Sequence, residues 1–121
     1  MLSVKHLIDT YSLTADDITQ ILDTAASFES VNNRAIKKVP ALRGRTIVNL
    51  FLEPSTRTKS SFELAEKRLS ADSLSMGGST SSVVKGESLA DTIQTISAMN
   101  VDMFVCRAKL AGTPQRITEN T

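Results

Sequence analysis

Residues 46–58 read TIVNLFLEPSTRT, a nearly continuous apolar run that ends in a proline and a group of hydroxyl and basic side chains. The part from Thr46 to Leu52 is short and rich in β-branched residues, which is typical of a parallel strand buried on both faces. Pro54 ends it. A helix is predicted from Thr56 to Leu69, and its apolar residues lie on one face. They are Phe62, Ala65 and Leu69.

The residues before this stretch predict a helix from Leu13 to Ser30. Thr14, followed three residues later by Asp17, is a suitable N-cap with an acid in the first turn. Apolar residues recur at three- and four-residue spacing, which predicts one buried face. They are Ile18, Ile21, Leu22, Ala25 and Ala26. Residues 31–45 are polar and contain proline and glycine, so we expect a connection to the sheet.

After the second helix the same order is repeated. Asp72 to Met76 predicts a short second strand, and Gly77 to Gly86 has no periodicity, which indicates a loop. Ser88 and Asp91 resemble a capping pair for a third helix. The apolar stripe of that helix consists of Leu89, Ile93 and Ile96. Val101 to Cys106 predicts a third strand.

The predicted order is one helix followed by β-α-β-α-β. It indicates an α/β fold in three layers, with a parallel sheet between flanking helices. The 121 residues suit one compact domain. In such sheets, ligands bind beyond the carboxyl ends of the strands. We therefore expect the functional positions at Glu53 to Thr58, in the loop after Met76, and at Arg107.

Composition disfavours several classes of function. Fourteen basic and thirteen acidic side chains give a net charge of +1, so no overall field favours nucleic acid or an anionic membrane as partner. A single histidine, His6, and a single cysteine, Cys106, do not provide a metal cluster or a Ser-His-Asp or Cys-His nucleophile. The sequence has no Walker loop, no GxGxxG motif and no apolar run long enough to span a bilayer. We expect a cytoplasmic protein without a metal site.

Ser55-Thr56-Arg57-Thr58 lies at the predicted turn from strand to helix. The first backbone N–H groups of a helix lack internal partners and carry the positive end of its dipole. The hydroxyl groups can donate to phosphate oxygens, and the planar guanidinium of Arg57 can clamp an anion with two bonds. This pattern indicates a phosphate site. The residues alone equally allow a simpler interpretation, in which a hydroxyl caps the helix and Arg57 is a solvated surface residue.

Two further cations are predicted near the same edge of the sheet. Lys85 lies in the segment from Ser79 to Glu87, and Arg107 follows the third strand. Each alone is more simply interpreted as a surface residue, because loops and strand ends usually face solvent. Three cationic side chains at strand ends together favour a shared anion site.

Two motifs make the chain resemble the aspartate and ornithine carbamoyltransferase family. FLEPSTRT at residues 51–58, followed by SFE at 61–63, is similar to the carbamoyl-phosphate signature of that family. KGESLADT at 85–92 resembles the mobile loop and helix start of the aspartate enzymes in particular. Pro54 also favours the aspartate over the ornithine enzymes. The resemblance extends from Leu13 to about Gly112.

The resemblance implies a fold and an activity. Residues 1–121 would form the N-terminal part of a carbamoyl-phosphate-binding domain, and the aspartate-binding domain would be absent from this chain. The reaction would transfer the carbamoyl group of carbamoyl phosphate to the amino group of L-aspartate in pyrimidine biosynthesis. It would need no metal or organic cofactor, and the enzyme would be a homotrimer with active sites shared between chains.

The resemblance also assigns roles to individual residues. The phosphate would be held by Ser55, Thr56, Arg57 and Thr58. Thr58 would also lie near the carbamoyl oxygen, and Arg107 would lie between phosphate and carbonyl. Ser81 and Lys85 would reach into the active site of a neighbouring subunit.

The chain departs from the family pattern in two ways. Ala108 stands where a histidine commonly follows the arginine of the third strand. Family members are also much longer, and their carbonyl-polarising histidine and aspartate-binding arginines would lie beyond Thr121. Three functions therefore stay open: an aspartate carbamoyltransferase, a catalytically silent module that binds phosphate ligands or assembles with full-length subunits, and an ornithine carbamoyltransferase.

Overall fold

The structure, a computed structural model, describes residues 1–77, 86–108 and 112–119, with the backbone alone at 77 and 86–89. The chain divides into two compact units, Met1–Lys37 and Lys38–Thr121. The first contains helix α1 and a short 3-10 helix. Among the described residues, the second contains a three-stranded sheet and three further helices, and its range includes every residue of the predicted anion site.

Helix α1 spans Ala15–Phe28 and is followed by the 3-10 helix Glu29–Asn33. The predicted cap at Thr14 is confirmed. The Thr14 hydroxyl accepts a bond from the backbone N–H of Asp17, and the Asp17 carboxylate accepts one from the backbone N–H of Thr14. This reciprocal pair satisfies two of the N–H groups that a helix start leaves without partners.

The predicted buried stripe of α1 is wrong for this chain. Ile18 is 41% exposed and Leu22 63% exposed, whereas the buried residue of the helix is Asp17. A helix can bury an apolar stripe only against another element. Within residues 1–37, all of which are described, the only other element is the 3-10 helix, which is too short to cover it.

The second unit has the predicted alternation. Strand β1 (Thr46–Phe51) is followed by helix α2 (Thr56–Arg68) and strand β2 (Asp72–Gly77). Helix α3 (Gly86–Ser97) and strand β3 (Met103–Arg107) come next. Each strand boundary lies within two residues of the predicted one. Helix α3 begins at Gly86, so Ser88 is a residue of the helix and not its N-cap.

A short helix, α4, spans Thr113–Glu119 and was not predicted. Seven residues are too few for a recognisable apolar period. Its Ile117 is nonetheless buried in a core with Leu50 and Ile93, so α4 closes one face of the sheet together with α3.

The sheet is parallel, with the order β2-β1-β3, which confirms the predicted fold class. The central strand β1 is buried throughout after its first residue. Leu50 packs towards α3 and α4, while its neighbour Asn49 bonds to Glu66 of α2. Because successive residues of a strand point to opposite faces, the helices cover both faces of the sheet in three layers.

The apolar face of α2 is not the face that the helix buries most deeply. Phe62 is 43% exposed and Ala65 is exposed, although the Phe62 ring contacts that of Phe51 at a centroid distance of 6.5 Å. The buried residue of this helix is Glu66, which is 4% exposed. The sheet surface opposite carries Asn49 and hydroxyl side chains, and Glu66 is hydrogen-bonded to Asn49 and Ser73 there.

Candidate functional site

The candidate site lies at the carboxyl edge of the sheet. The last residue of β1, Phe51, is in register with Gly77 of β2 and with Arg107 of β3. The backbone N–H of Leu52 donates to the Arg107 carbonyl at 2.8 Å, which extends the pairing by one residue. Parallel strands in this register end together, so the turn into α2 and the end of β3 are brought side by side.

Arg107 connects the two strand ends. Its Nε donates to Glu53 Oε1 at 2.5 Å, and its Nη1 donates to Ser55 Oγ and to Thr58 Oγ1, both at 2.8 Å. These bonds span 49 to 54 residues of sequence. The predicted proximity of Arg107 to the 55–58 turn is therefore observed. Arg107 is the final residue of β3 and does not follow the strand, because β3 lies one to two residues later than predicted.

The N-terminus of α2 carries no side-chain cap. Ser55 is the N-cap residue, with φ −161° and ψ 75°, but its side chain accepts no bond from the helix backbone. Its Oγ accepts a hydrogen from Arg107 instead. The first N–H groups of the helix thus keep their capacity to bind an anion, in the region where the helix dipole is positive.

The two hydroxyl groups that accept from Arg107 keep their own hydrogens. A hydroxyl is one donor and a double acceptor, so Ser55 and Thr58 can each donate to a bound anion while the arginine holds their oxygens. Both are half-buried. Fixed donors of this kind bind an oxyanion without first having to be ordered.

Arg57 and Thr56 lie on the first turn of α2 and are exposed. The Arg57 guanidinium has no hydrogen-bond or ion-pair partner among the residues that the structure describes, although the backbone carbonyl accepts from Ser61 at 2.9 Å. No other described side chain therefore holds the Arg57 guanidinium in place. Thr56 contributes the first backbone N–H inside the helix.

Glu53 lies at one of the expected functional positions, but no role was predicted for it. Its carboxylate is 17% exposed and pairs with Arg107, whose side chain is 47% exposed. The pair orients the guanidinium and offsets one of the two positive charges at the turn. The sequence carries no local signal for this pairing, because its two partners are 54 residues apart.

Ser81 and Lys85, predicted from the resemblance, lie outside the described residues. Ala108 is described and half-buried, and its methyl group offers no hydrogen bond next to Arg107. Across the three described ranges, no group of three or more His, Cys, Asp or Glu side chains could hold a metal ion. In the same ranges, no helix has the length and apolar character needed to cross a bilayer.

Comparisons with known proteins give the family context. The family model for the carbamoyl-P binding domain of aspartate/ornithine carbamoyltransferase matches residues 5–121. The aspartate carbamoyltransferase catalytic subunit of Desulforapulum autotrophicum is 55% identical over 116 residues, which are 96% of this chain and 37% of that protein. The chain therefore spans little more than a third of the length of this relative.

Solved structures agree with this match. The catalytic subunit of M. jannaschii aspartate transcarbamoylase is similar with a TM-score of 0.84 and 39% identity, over 98% of this chain and 38% of that one. Ornithine carbamoyltransferase from Pyrococcus furiosus is similar with a TM-score of 0.82 and 29% identity, over 95% and 36% of the two chains. Both likenesses cover the sheet, its helices and the turn that carries the candidate site.

Proposed function

This chain belongs to the aspartate/ornithine carbamoyltransferase family, whose carbamoyl-P binding domain it matches from residue 5 to residue 121, and we propose that it supplies the carbamoyl-phosphate site of an aspartate carbamoyltransferase. The reaction moves the carbamoyl group of carbamoyl phosphate to the amino group of L-aspartate. N-carbamoylaspartate and phosphate are the products, and the step belongs to pyrimidine biosynthesis.

One observation carries the proposal: Arg107 Nη1 gathers the hydroxyl groups of Ser55 and Thr58 at the uncapped start of α2. Backbone N–H groups, two hydroxyl groups and the Arg107 guanidinium are thus brought together at the start of one helix. Phosphate accepts many hydrogen bonds and carries the charge that such a group of donors favours. A single N-cap with a solvated arginine, the simpler interpretation, does not account for Arg107 bonding to both hydroxyls.

Each residue has a proposed role. Ser55, Thr56 and Thr58 donate to the phosphate, and Arg57 clamps it with its planar guanidinium. Arg107 lies between phosphate and carbonyl, where its guanidinium can stabilise the developing negative charge. Thr58 also donates to the carbamoyl oxygen.

The chemistry needs positioning and charge stabilisation. The amine nitrogen of aspartate attacks the carbamoyl carbon, a C–N bond forms, and the bond from that carbon to the phosphate oxygen breaks. Negative charge develops on the carbonyl oxygen and then on the departing phosphate, where fixed cationic donors are most effective. Holding the two substrates together supplies much of the remaining acceleration, and no protein nucleophile or cofactor is required.

The remaining parts of the site are proposed to come from outside the described residues. Ser81 and Lys85 would reach the site of a neighbouring copy in a homotrimer, and the groups that hold aspartate would lie outside residues 1–121. The edge strand β2 supports assembly, because its Leu74 is 45% exposed and lies in an apolar groove with Met76 and Met99.

A cytoplasmic location stays a prediction from the sequence.

The proposal is tested by assaying the purified chain for N-carbamoylaspartate, with carbamoyl phosphate and aspartate as substrates and ornithine in parallel as the competing amine. Product from aspartate would establish the activity. Product from ornithine alone would favour an ornithine carbamoyltransferase, the alternative that the similarity to the Pyrococcus furiosus enzyme supports. No product from either amine would leave a catalytically silent module that binds phosphate ligands, and phosphate binding then becomes the deciding measurement.

Binding is tested with Arg57→Ala. The variant should lower the affinity for carbamoyl phosphate at least about 100-fold, because two charge-assisted hydrogen bonds of roughly 1.5 kcal/mol or more are lost. Arg43→Ala is the matched control, since Arg43 is an exposed cation in a turn at the opposite edge of the sheet. Equal affinities of Arg57→Ala and the unaltered chain, by calorimetry, would contradict the proposed site.

A further inference from the structure

Helix α2 contacts the sheet through a layer of polar side chains that we call the α2 polar layer: Asn49, Glu63, Glu66, Ser73 and Ser75. We infer that this layer sets the rotation of α2 about its own axis, and that Glu66 is thereby a positioning residue for the anion-binding turn. The inference rests on the proposed function, because it concerns how the same site is held in place.

Glu66 is the centre of the layer. Its Oε1 accepts from Asn49 Nδ2 at 2.7 Å and from Ser73 Oγ at 2.8 Å. One turn earlier, Glu63 Oε1 accepts from Ser75 Oγ at 3.1 Å. Asn49 is fully buried and Glu66 nearly so. Two contacts about one turn apart on the same side of a helix fix the rotation of the helix about its own axis. They also fix the direction of that axis on the sheet.

Apolar packing alone would favour another rotation. The apolar side of α2 consists of Phe62, Ala65 and Leu69. Phe62 directly precedes Glu63 of the α2 polar layer, and Ala65 directly precedes Glu66. Since each residue advances a helix by about 100°, a rotation of that size would turn Phe62 and Ala65 inward and Glu63 and Glu66 outward. The observed helix instead leaves Phe62 43% exposed. The polar contacts therefore select the observed rotation.

The rotation determines which groups meet Arg107. Thr58 accepts from Arg107 Nη1 at 2.8 Å from the first turn of the same helix. A 100° rotation would move its Cα by about 3.5 Å on a cylinder of 2.3 Å radius, which is enough to break that bond. Glu66 lies eight residues further along, so it acts on Thr58 through the helix and not by contact.

The hydrogen bonds of Glu66 also define a conservative variant. Asn49 Oδ1 and Glu66 Oε2 are buried and have no hydrogen-bond partner among the residues that the structure describes. Glu66→Gln keeps the acceptor oxygen that serves Asn49 and Ser73, and it places an N–H donor where Oε2 has no partner. Glu66→Ala removes the acceptor, which deprives the Ser73 hydroxyl of its bond and leaves Asn49 Nδ2 only the longer bond of 3.4 Å to Ser75 Oγ.

The experiment measures the affinity of the full chain for inorganic phosphate by NMR titration. The temperature is kept well below the unfolding temperature of each variant. Glu66→Ala should weaken binding by about 10- to 100-fold, the scale of effect that a displacement of about 1 Å can have on a site. Glu66→Gln should restore affinity to within about threefold. Glu29→Ala, which removes an exposed carboxylate outside the layer, should bind like the unaltered chain.

A double-mutant cycle separates positioning from stability. Thr58→Ala should weaken phosphate binding in the unaltered chain and have little further effect in Glu66→Ala, because Thr58 is already displaced there. A loss of stability alone would lower the unfolding temperature and leave the affinity of the folded chain unchanged.

Should Glu66→Ala not fold, Ser73→Ala combined with Ser75→Ala removes two donors from exposed edge positions and should weaken binding several-fold.

Unaltered affinity in folded Glu66→Ala, or in the double serine variant, would overturn the inference, and so would a loss in Glu66→Gln as large as that in Glu66→Ala. Failure of the unaltered chain to bind phosphate would be a different result, because it would remove the proposed function itself.

Discussion

Arg107 shows how much of the site depends on one side chain. It bonds to a carboxylate and to two hydroxyls, so its direction is fixed from three sides. The sequence predicted that Arg107 and the Ser55–Thr58 turn would meet, because the carboxyl ends of parallel strands share one edge. It placed Glu53 among the expected functional positions but did not predict its pairing with Arg107, because a pair between residues 53 and 107 depends on the register of two strands and not on any local pattern.

Cys106, the residue before Arg107, is predicted to react slowly. Burial raises the pKa of its thiol to about 11, so very little thiolate is present near neutral pH. At pH 8 its reaction with Ellman's reagent should be on the order of 100-fold slower than that of the same cysteine in urea-unfolded protein, whose pKa is about 8.5. Equal rates in the two states would contradict the prediction.

At the scale of elements, short-range signals were reliable. The cap at the start of α1, the buried strand β1 and the turn into α2 all depend on residues within a few positions of each other, and all were predicted within two residues. The buried face of α1 was predicted wrongly, and the apolar face of α2 is not the face that it buries most deeply. A period of apolar residues indicates which side of a helix could be buried, but the neighbouring surface determines which side is buried.

The cap of α1 makes a pH-dependent contribution to stability. Asp17 accepts hydrogen bonds from the Ser3 side chain and from the backbone N–H groups of Thr14 and Ser3, which lower its pKa to about 2 from 3.8. Because the folded form binds its proton only at lower pH, the stabilisation is complete above about pH 4 and is lost as the pH falls towards about 2.

Asp17→Asn should therefore destabilise the protein near neutral pH, and the difference from the unaltered chain should shrink below about pH 4. Urea unfolding followed by circular dichroism at several pH values measures it. Asp16→Asn, in the same first turn and exposed, is the matched control. A difference that stays constant down to pH 2 would show that the carboxylate bonds do not stabilise the folded state.

At the scale of the whole molecule, the chain joins residues 53–58 and 107 into a site but matches only about 37% of its relative's length. The proposed function therefore requires contributions from outside the described residues. Ser81 and Lys85 are the proposed contributions across an interface between copies.

Sharing of sites is tested by mixing. Arg57→Ala and Lys85→Gln should each bind carbamoyl phosphate poorly when alone. In a cyclic trimer assembled from equal amounts of both, about a quarter of the sites would combine an intact Arg57 with an intact Lys85 from the neighbour. Calorimetry should therefore recover about that fraction of high-affinity sites. If mixing restores no binding, the active sites are not shared between chains.

The order of elements, the position of the anion turn and the cap of α1 followed from the sequence alone, because strand runs, helix periods and caps are interactions between residues that are close along the chain. The pairing of Glu53 with Arg107, the polar contact of Glu66 with Asn49 and the exposure of the α1 stripe followed only from the tertiary structure. The two pairings depend on contacts between residues that are 17 or more positions apart in the sequence. The exposure of the stripe depends on whether another element covers it. Hydrophobic periodicity carries no information about such partners, since a polar sheet surface can turn an equally amphipathic helix the other way.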